Sequence, residues 1–363
     1  MKGIWWKASS VVILIYVIIA GMCVPLKPGI VQVSPDTASS GDTLILSVTG
    51  YNSFYTRGES MGAWLKTEEE FQIDDPLFLA ASRIQVLDDR HLEIRFDIPE
   101  FLPSSSSFQG FTLILDSEVD GPSVLPGAVF LRQDSIQRAA GIASWSQDAP
   151  GAFHVKENFT FPFRNILAES IRNTYFHVPL WFAMLFILLA SVVFSIRYLI
   201  YKKPVDDLKA ISLALVGVWF GILGLITGAI WAKNTWGAYW SFDVKQNMTA
   251  VALLIYLAYF ILRAAFEDRE QKARLSAAYN IFAFAALIPL LYVIPRMTDS
   301  LHPGAGGNPA LGGEDLDNTM RMVFYPAILG WTLLGVWMAQ LHFRTDRLRV
   351  WWSGDEDEDF AIG

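Results

Sequence analysis

Cysteine is almost absent: Cys23 is the only one among 363 residues. A lone thiol excludes an intrachain disulfide framework, a CxxC relay, a thiolate zinc site and the CxxCH signature of covalent cofactor attachment. Charge is sparse as well. Only 18% of residues are Asp, Glu, Lys or Arg, and the net charge is −8. The basic residues sit beside apolar runs, so no patch exists to replace phosphate counterions, and nucleic-acid binding is excluded. Enzyme signatures are missing too: there is no GxSxG, HExxH or GxxxxGKS/T. Gly304-Ala305-Gly306-Gly307 follows an apolar run and leads into Asn308-Pro309, so it reads as a loop instead of a phosphate cradle. Any ATP hydrolysis must therefore come from another chain. What is abundant is hydrophobicity, 53% of residues with 14% aromatic and a mean hydropathy of +0.34. That composition belongs in a membrane.

A helix needs about 20 apolar residues to cross a hydrocarbon core roughly 30 Å thick. Six stretches free of Lys, Arg, Asp and Glu qualify: Ala8 to Leu26, Val178 to Ile196, Ala210 to Ala232, Gln246 to Leu262, Leu275 to Pro295 and Met322 to Phe343. The fourth spans fully only if Lys245 and Arg263 snorkel to the interfaces. The first reads as a retained span, because Ile18, Ile19, Met22 and Val24 offer no small-x-small cleavage site. With both termini in the cytoplasm, the inner short segments carry 13 Lys and Arg against four outside, namely Lys233, Lys245, Arg296 and Arg321. This is the positive-inside pattern.

About 150 residues separate the first two spans, too many for a loop. Alternating runs such as Thr43 to Val48, Arg83 to Leu87, Leu92 to Phe96 and Phe111 to Leu115 are punctuated by Ser39-Ser40-Gly41-Asp42, Asp88-Asp89, Ser104 to Ser107 and Asp120-Gly121-Pro122. The period of two predicts an all-β sandwich. Val33-Ser34-Pro35, Ser40 to Thr43 and Val48-Thr49-Gly50 suggest an immunoglobulin-like strand pair. The expected fold class is a polytopic α-helical membrane protein of six transmembrane helices, N-in and C-in, with this sandwich inserted on the outside. Its parts are a first helix at 1–27, a β-domain at 28–164, a five-helix membrane domain at 165–343 with an aromatic loop at 231–247, and an acidic cytoplasmic tail at 344–363. From Leu26 to Phe176 there are 11 basic against 20 acidic residues, so the acidity belongs to the outer domain, which suits a basic partner.

The third outside loop carries Trp231, Trp236, Tyr239, Trp240 and Phe242 before Asp243 and Lys245. Composition alone fits an interfacial aromatic belt. The spacing of Trp236, Trp240 and Asp243, four and three apart around Gly237, predicts one face of a short helical turn. Two histidines flank this loop in the derived topology: His177 opens the second span and His302 follows the fifth. Each alone reads as a solvated interfacial ring. Together they offer axial imidazoles to a haem iron, with aromatics for the porphyrin face and Arg172, Arg296 and Arg321 as cations for its propionates. His342 lies on the opposite side, and His91 and His154 fall in the β-domain, where a surface role is expected.

Trp236-Gly237-x-x-Trp240-x-x-Asp243 resembles the tryptophan-rich WWD signature of haem-handling proteins, and Tyr175-Phe176-His177-Val178-Pro179 resembles their histidine-bearing helix start. The order of spans, signature and histidines resembles the CcmC (haem exporter protein C) family of bacterial c-type cytochrome biogenesis. The likeness covers the first span and roughly Asn165 to Phe343. It implies an inner-membrane protein that is not itself an enzyme. Such a protein holds haem b transiently and non-covalently at the periplasmic face and passes it to a CcmE-like chaperone, beside CcmA/CcmB-like transporter subunits and a small CcmD-like subunit. It implies His177 and His302 as iron ligands, and a platform of Trp236, Gly237, Trp240 and Asp243, with Tyr239 and Phe242 in the same loop. Phe242 stands where many members have a further Trp, and the β-domain has no counterpart in ordinary members. Asp243 is open to three roles: capping the next helix, bonding a Trp Nε1–H, or contacting the chaperone. A CcsA-type cytochrome c synthase subunit shares the signature but usually has more spans. A receptor with a membrane transmitter would leave the paired histidines unexplained.

Overall fold

The computed structural model describes residues 3–68, 76–146, 151–156, 158–302 and 316–352. Two compact units result, Met1–Val24 with Glu169–Gly363, and Pro25–Ala168.

Among the described residues, the first unit contains six helices long and apolar enough to cross a membrane. They are α1 (Trp5–Cys23), α3 (His177–Tyr201, preceded by a 3-10 segment from Ala168), α4 (Pro204–Trp236), α5 (Val244–Ala264), α6 (Arg269–Ile288) and α7 (Asn318–Trp352). A π turn over Pro289–Val293 and a 3-10 turn over Ile294–Arg296 continue α6. Most helices run past the apolar stretches that mark them, because polar residues at the ends still satisfy their own backbone. Pro204 starts α4 at a position that needs no N–H donor, and Asp206 and Asp207 follow in its first turn, where the helix dipole favours acids.

Sequence alone left the reason for the close approach of α3 and α4 unread. Gly217, Gly221, Gly224 and Gly228 recur along one face of α4. A Cβ built on them would meet Leu188 Cδ2 at 2.5 Å, Met184 Sδ at 2.9 Å, Trp181 Cε2 at 2.7 Å and His177 Cε1 at 2.7 Å, in that order. The α3 partners descend in number as the glycines ascend, so the helices run antiparallel along a bare-backbone seam. Between apolar helices in lipid, such small-residue contact replaces the hydrophobic drive available in water. The seam ends at His177, whose ring it positions.

Polar ties fix the rest of this unit. Asn280 on α6 donates to Ser191 Oγ at 2.8 Å and Ser195 Oγ at 2.9 Å on α3, and Ser191 Oγ donates to the Ala210 carbonyl at 2.7 Å. Arg263 makes a two-pronged pair with Asp207 at 2.6 and 2.7 Å. At the other end, Arg172 Nη1 donates to the Gly21 and Val24 carbonyls at 2.9 and 2.7 Å, capping the C-terminal end of α1.

The second unit is a two-sheet sandwich with the short helix α2 (Arg138–Ser144). One sheet orders β1 (Gly29–Ser34), β3 (Thr43–Tyr51), β7 (His91–Asp97) and β6 (Arg83–Val86) as β1-β3-β7-β6. The other orders β2 (Thr37–Ser39), β9 (Gly121–Arg132), β8 (Phe108–Ser117), β4 (Met61–Thr67) and β5 (Phe78–Ala80) as β2-β9-β8-β4-β5. Alternate residues of both sheets, including Leu44, Leu46, Ile94 and Phe96 from one and Leu65, Phe111, Leu113 and Val129 from the other, share one core. The expected Val33 to Gly50 pair is β1 against β3, joined by β2, which crosses to the other sheet and runs parallel to β9. His91 and His154 hold Asp88 and Asp116 at 2.9 and 2.8 Å.

The glycine seam predicts a coupling. Gly217→Val should destabilise the detergent-solubilised protein by about 1–3 kcal/mol through overpacking against Leu188, and Leu188→Ala in the same chain should recover part of that loss. Thermal unfolding of both single variants and the double variant measures it; additive losses would contradict the seam.

Candidate functional site

The site is built where α4 ends and α5 begins. Gly237, at φ +81°, closes α4 in the left-handed conformation open to glycine. Residues 237–243 are not helical, and Asp243 is the N-cap of α5, accepting from the Lys245 N–H at 2.9 Å. The expected helical turn over Trp236, Trp240 and Asp243 is therefore not formed. The physical reason is local: a left-handed Gly237, an N-cap at Asp243 and Phe242 at φ +58° are each incompatible with a continuous turn. The aromatic loop is held by side chains of the next helix. Asn247 accepts from Trp240 Nε1–H at 3.2 Å and donates to the Phe242 carbonyl at 2.8 Å. Gln246 Oε1 accepts from the Ser241 N–H at 3.0 Å and its hydroxyl at 3.2 Å. The Phe242 ring is 78% exposed and Tyr239 is 61% exposed, so both face outward from this scaffold.

The buried Asp243 carboxylate also gathers the segment after the fifth span. Oδ2 accepts from Ser300 Oγ at 2.8 Å and the Leu301 N–H at 2.9 Å, and Oδ1 lies 3.1 Å from His302 Nδ1. Burial opposes the Asp243 charge, but the His302 contact, the Leu301 N–H, Ser300 and the Lys245 N–H outweigh it and hold the carboxyl well below the usual range. Burial pushes His302 below its ordinary value, and the nearby Lys245 charge adds to this, against the pull of Asp243. A neutral imidazole facing a carboxylate carries its proton on Nδ1 and turns its Nε2 lone pair the other way. The ring packs edge-on to Trp236, with centroids 4.9 Å apart, and Trp236 packs edge-on to Trp231 at 5.1 Å.

His177 is oriented by a different set. Its Nδ1 is 3.0 Å from Thr227 Oγ1, which donates to the Leu223 and Gly224 carbonyls, and its Nε2 accepts from Trp181 Nε1–H at 3.3 Å. The two histidines lie within electrostatic reach of each other. Both present Nδ1 to a fixed acceptor and Nε2 as the remaining lone pair.

The three arginines divide. Arg172 directs its guanidinium to Glu169 and the α1 carbonyls. Arg321 donates to Asn318 at 3.2 Å in the first turn of α7. Arg296, closing the 3-10 turn, lies within electrostatic reach of the half-buried Lys245. An open cleft of about 500 Å³ adjoins Asp243, lined by Phe242, Val244, Asn247 and Met248 and by Asp299 to Leu301. This is in the range of small-molecule sites. Neither histidine ring lines it, so the paired lone pairs and the cleft are separate features of the same end of the helices.

The family model described as heme exporter protein C (CcmC) matches residues 158–352. Curated relatives with the name heme exporter protein C include that of Bradyrhizobium diazoefficiens, 26% identical over 180 residues covering 50% of this chain and 68% of the relative. That of Paracoccus denitrificans is 28% identical over 177 residues, 49% of this chain and 73% of the relative. That of Escherichia coli K12 is 25% identical over 190 residues, 51% and 76%.

Sequence reasoning missed Thr227, Gly228, Trp181, Gln246 and Asn247. The recurrence of glycine along α4 was a readable signal for the first three; the two amides gave none. One pH effect follows from the geometry. His302 sits below its ordinary value of 6.5, so its contribution to stability is present above that pH and is lost as pH falls through the folded value. The depressed Asp243 acts in the same direction at lower pH. Thermal midpoints of wild type and His302→Asn between pH 8 and 5 should show a steeper acid loss in wild type; parallel curves would contradict the assignment.

Proposed function

The chain belongs to the haem exporter protein C family, and from that premise we propose that it holds haem non-covalently at the outer end of its helices. His177 and His302 are the axial ligands and the rings of Trp236 and Trp240 the platform. The observation that carries this reading is the matched pair of imidazoles. Each has Nδ1 engaged, by Thr227 and by Asp243, and Nε2 directed away from that anchor. Backing of this kind fixes the tautomer and raises the basicity of a metal-binding histidine. Six-coordinate iron slows reaction with oxygen, which suits a carrier, while release needs only one bond to open.

Lys245 and Arg296, within electrostatic reach of each other, are the cations this reading assigns to the propionates; Arg172 and Arg321 bond to the α1 carbonyls and to Asn318. The sorting of Lys and Arg between short loops supports a bacterial inner membrane with the site and the β-domain on the periplasmic side. Cargo held at that face would pass to a CcmE-like chaperone for c-type cytochrome maturation. CcmA/CcmB-like subunits would supply any ATP hydrolysis, and a small CcmD-like subunit would complete the assembly. The chain itself acts as a carrier that binds and releases its cargo without changing it chemically. The acidic sandwich suits docking of a basic partner such as an apocytochrome segment or the chaperone.

Purified His177→Ala and His302→Ala proteins should each retain well under a tenth of wild-type haem, and Asp243→Asn should bind haem roughly 10- to 100-fold more weakly, as expected for loss of a ligand's outer partner. Absorbance titration of haem into the detergent-solubilised proteins reads both. Unchanged Soret spectra and haem content in both histidine variants would overturn the assignment.

A further inference from the structure

The two axial candidates differ in what holds Nε2 before a metal arrives. Among the described residues, no hydrogen bond reaches Nε2 of His302, and its Nδ1 is backed by a carboxylate. Nε2 of His177 accepts the indole N–H of Trp181, one turn further along α3, at 3.3 Å, and the two rings cross at 80° with centroids 6.0 Å apart. Since the indole nitrogen can only donate, Nε2 must be the unprotonated nitrogen and Nδ1 must donate to Thr227. Trp181 is itself confined, because its ring lies where a side chain on Gly224 would be, as the His177 ring does at Gly228. The pair is thus held in register along the glycine seam.

We propose that Trp181 is a latch on the labile axial ligand: its N–H occupies the lone pair of His177 whenever haem does not, so haem release proceeds through opening of the His177–iron bond. This rests on the reading of His177 and His302 as the ligand pair. The exchange moves no proton and no electron. As iron binds, the Nε2 lone pair passes from a hydrogen bond to a coordinate bond and the indole N–H turns away. As iron leaves, the indole recaptures it. Among the described residues the competing bond exists at His177 and not at His302, so the two axial positions are unequal: His302 is the retained ligand and Trp181 is a positioning residue acting through His177.

The sign of the effect separates this from a packing role. Trp181→Phe keeps a ring against Gly224 and removes the donor. It should bind haem about three- to tenfold more tightly and lose it correspondingly more slowly to excess apomyoglobin, the worth of one hydrogen bond. A residue that merely packs would, on replacement, weaken binding or leave it unchanged, and either result overturns the latch. His177→Ala, measured beside it, distinguishes the failures. If that variant keeps wild-type haem, the ligand assignment has failed; if it loses haem while Trp181→Phe matches wild type, only the latch has failed. A check needing no variant is the ultraviolet resonance Raman spectrum of wild type. It should lose one hydrogen-bonded indole signal on haem loading, and an unchanged indole signal would also overturn the proposal.

Discussion

The site depends on one buried carboxylate. Asp243 is asked to do two things at once: start α5 by accepting the Lys245 N–H, and tie down the chain after the fifth span through Ser300, Leu301 and His302. Both tasks need an ionised oxygen pair in a buried place, which is costly unless every lone pair finds a donor. Among the described residues four donors meet it, and this satisfaction keeps the carboxyl ionised. Burial and the Lys245 charge, against the pull of Asp243, favour a neutral His302, and the carboxylate then selects the tautomer with its proton on Nδ1, so the imidazole is held in one orientation.

Around this point the helices supply rigidity. The seam of Gly217, Gly221, Gly224 and Gly228 lets α3 and α4 approach closely and delivers His177 to the same end of the bundle. Small residues matter here because lipid is as apolar as leucine, so close backbone approach and polar ties must hold helices together. The Asn280–Ser191–Ser195 cluster and the Arg263–Asp207 pair serve that purpose away from the site. The loop bearing the aromatics has no regular structure of its own and is instead pinned by Gln246 and Asn247 of the following helix.

Much of this was legible in the sequence because it depends on composition and local spacing. Six apolar stretches gave six spans, and alternating runs gave β3, β6, β7 and β8. β4 and β9 escaped notice because Gly62, Trp64, Gly121, Pro122 and Gly127 break the alternation. The histidines and tryptophans were legible as candidates through topology, which brings alternate loops to one side. The helical turn over Trp236 to Asp243 was not, because residue spacing cannot register that Gly237 ends one helix and Asp243 starts another. Of the three roles open to Asp243, capping is the one its backbone contact fulfils, and the indole bond goes elsewhere, from Trp240 to Asn247. Its contact with His302 spans 59 residues, a separation that no local pattern encodes.

The central claim is that Asp243 fixes the proton of a neutral His302 on Nδ1, freeing Nε2. Histidine-labelled, haem-free protein in detergent, examined by long-range ¹⁵N–¹H correlation at pH 7, tests it directly, with His302→Asn to assign the signal. The account predicts the Nδ1–H tautomer at His302 in wild type. An Nε2–H tautomer, or a doubly protonated ring, would contradict it.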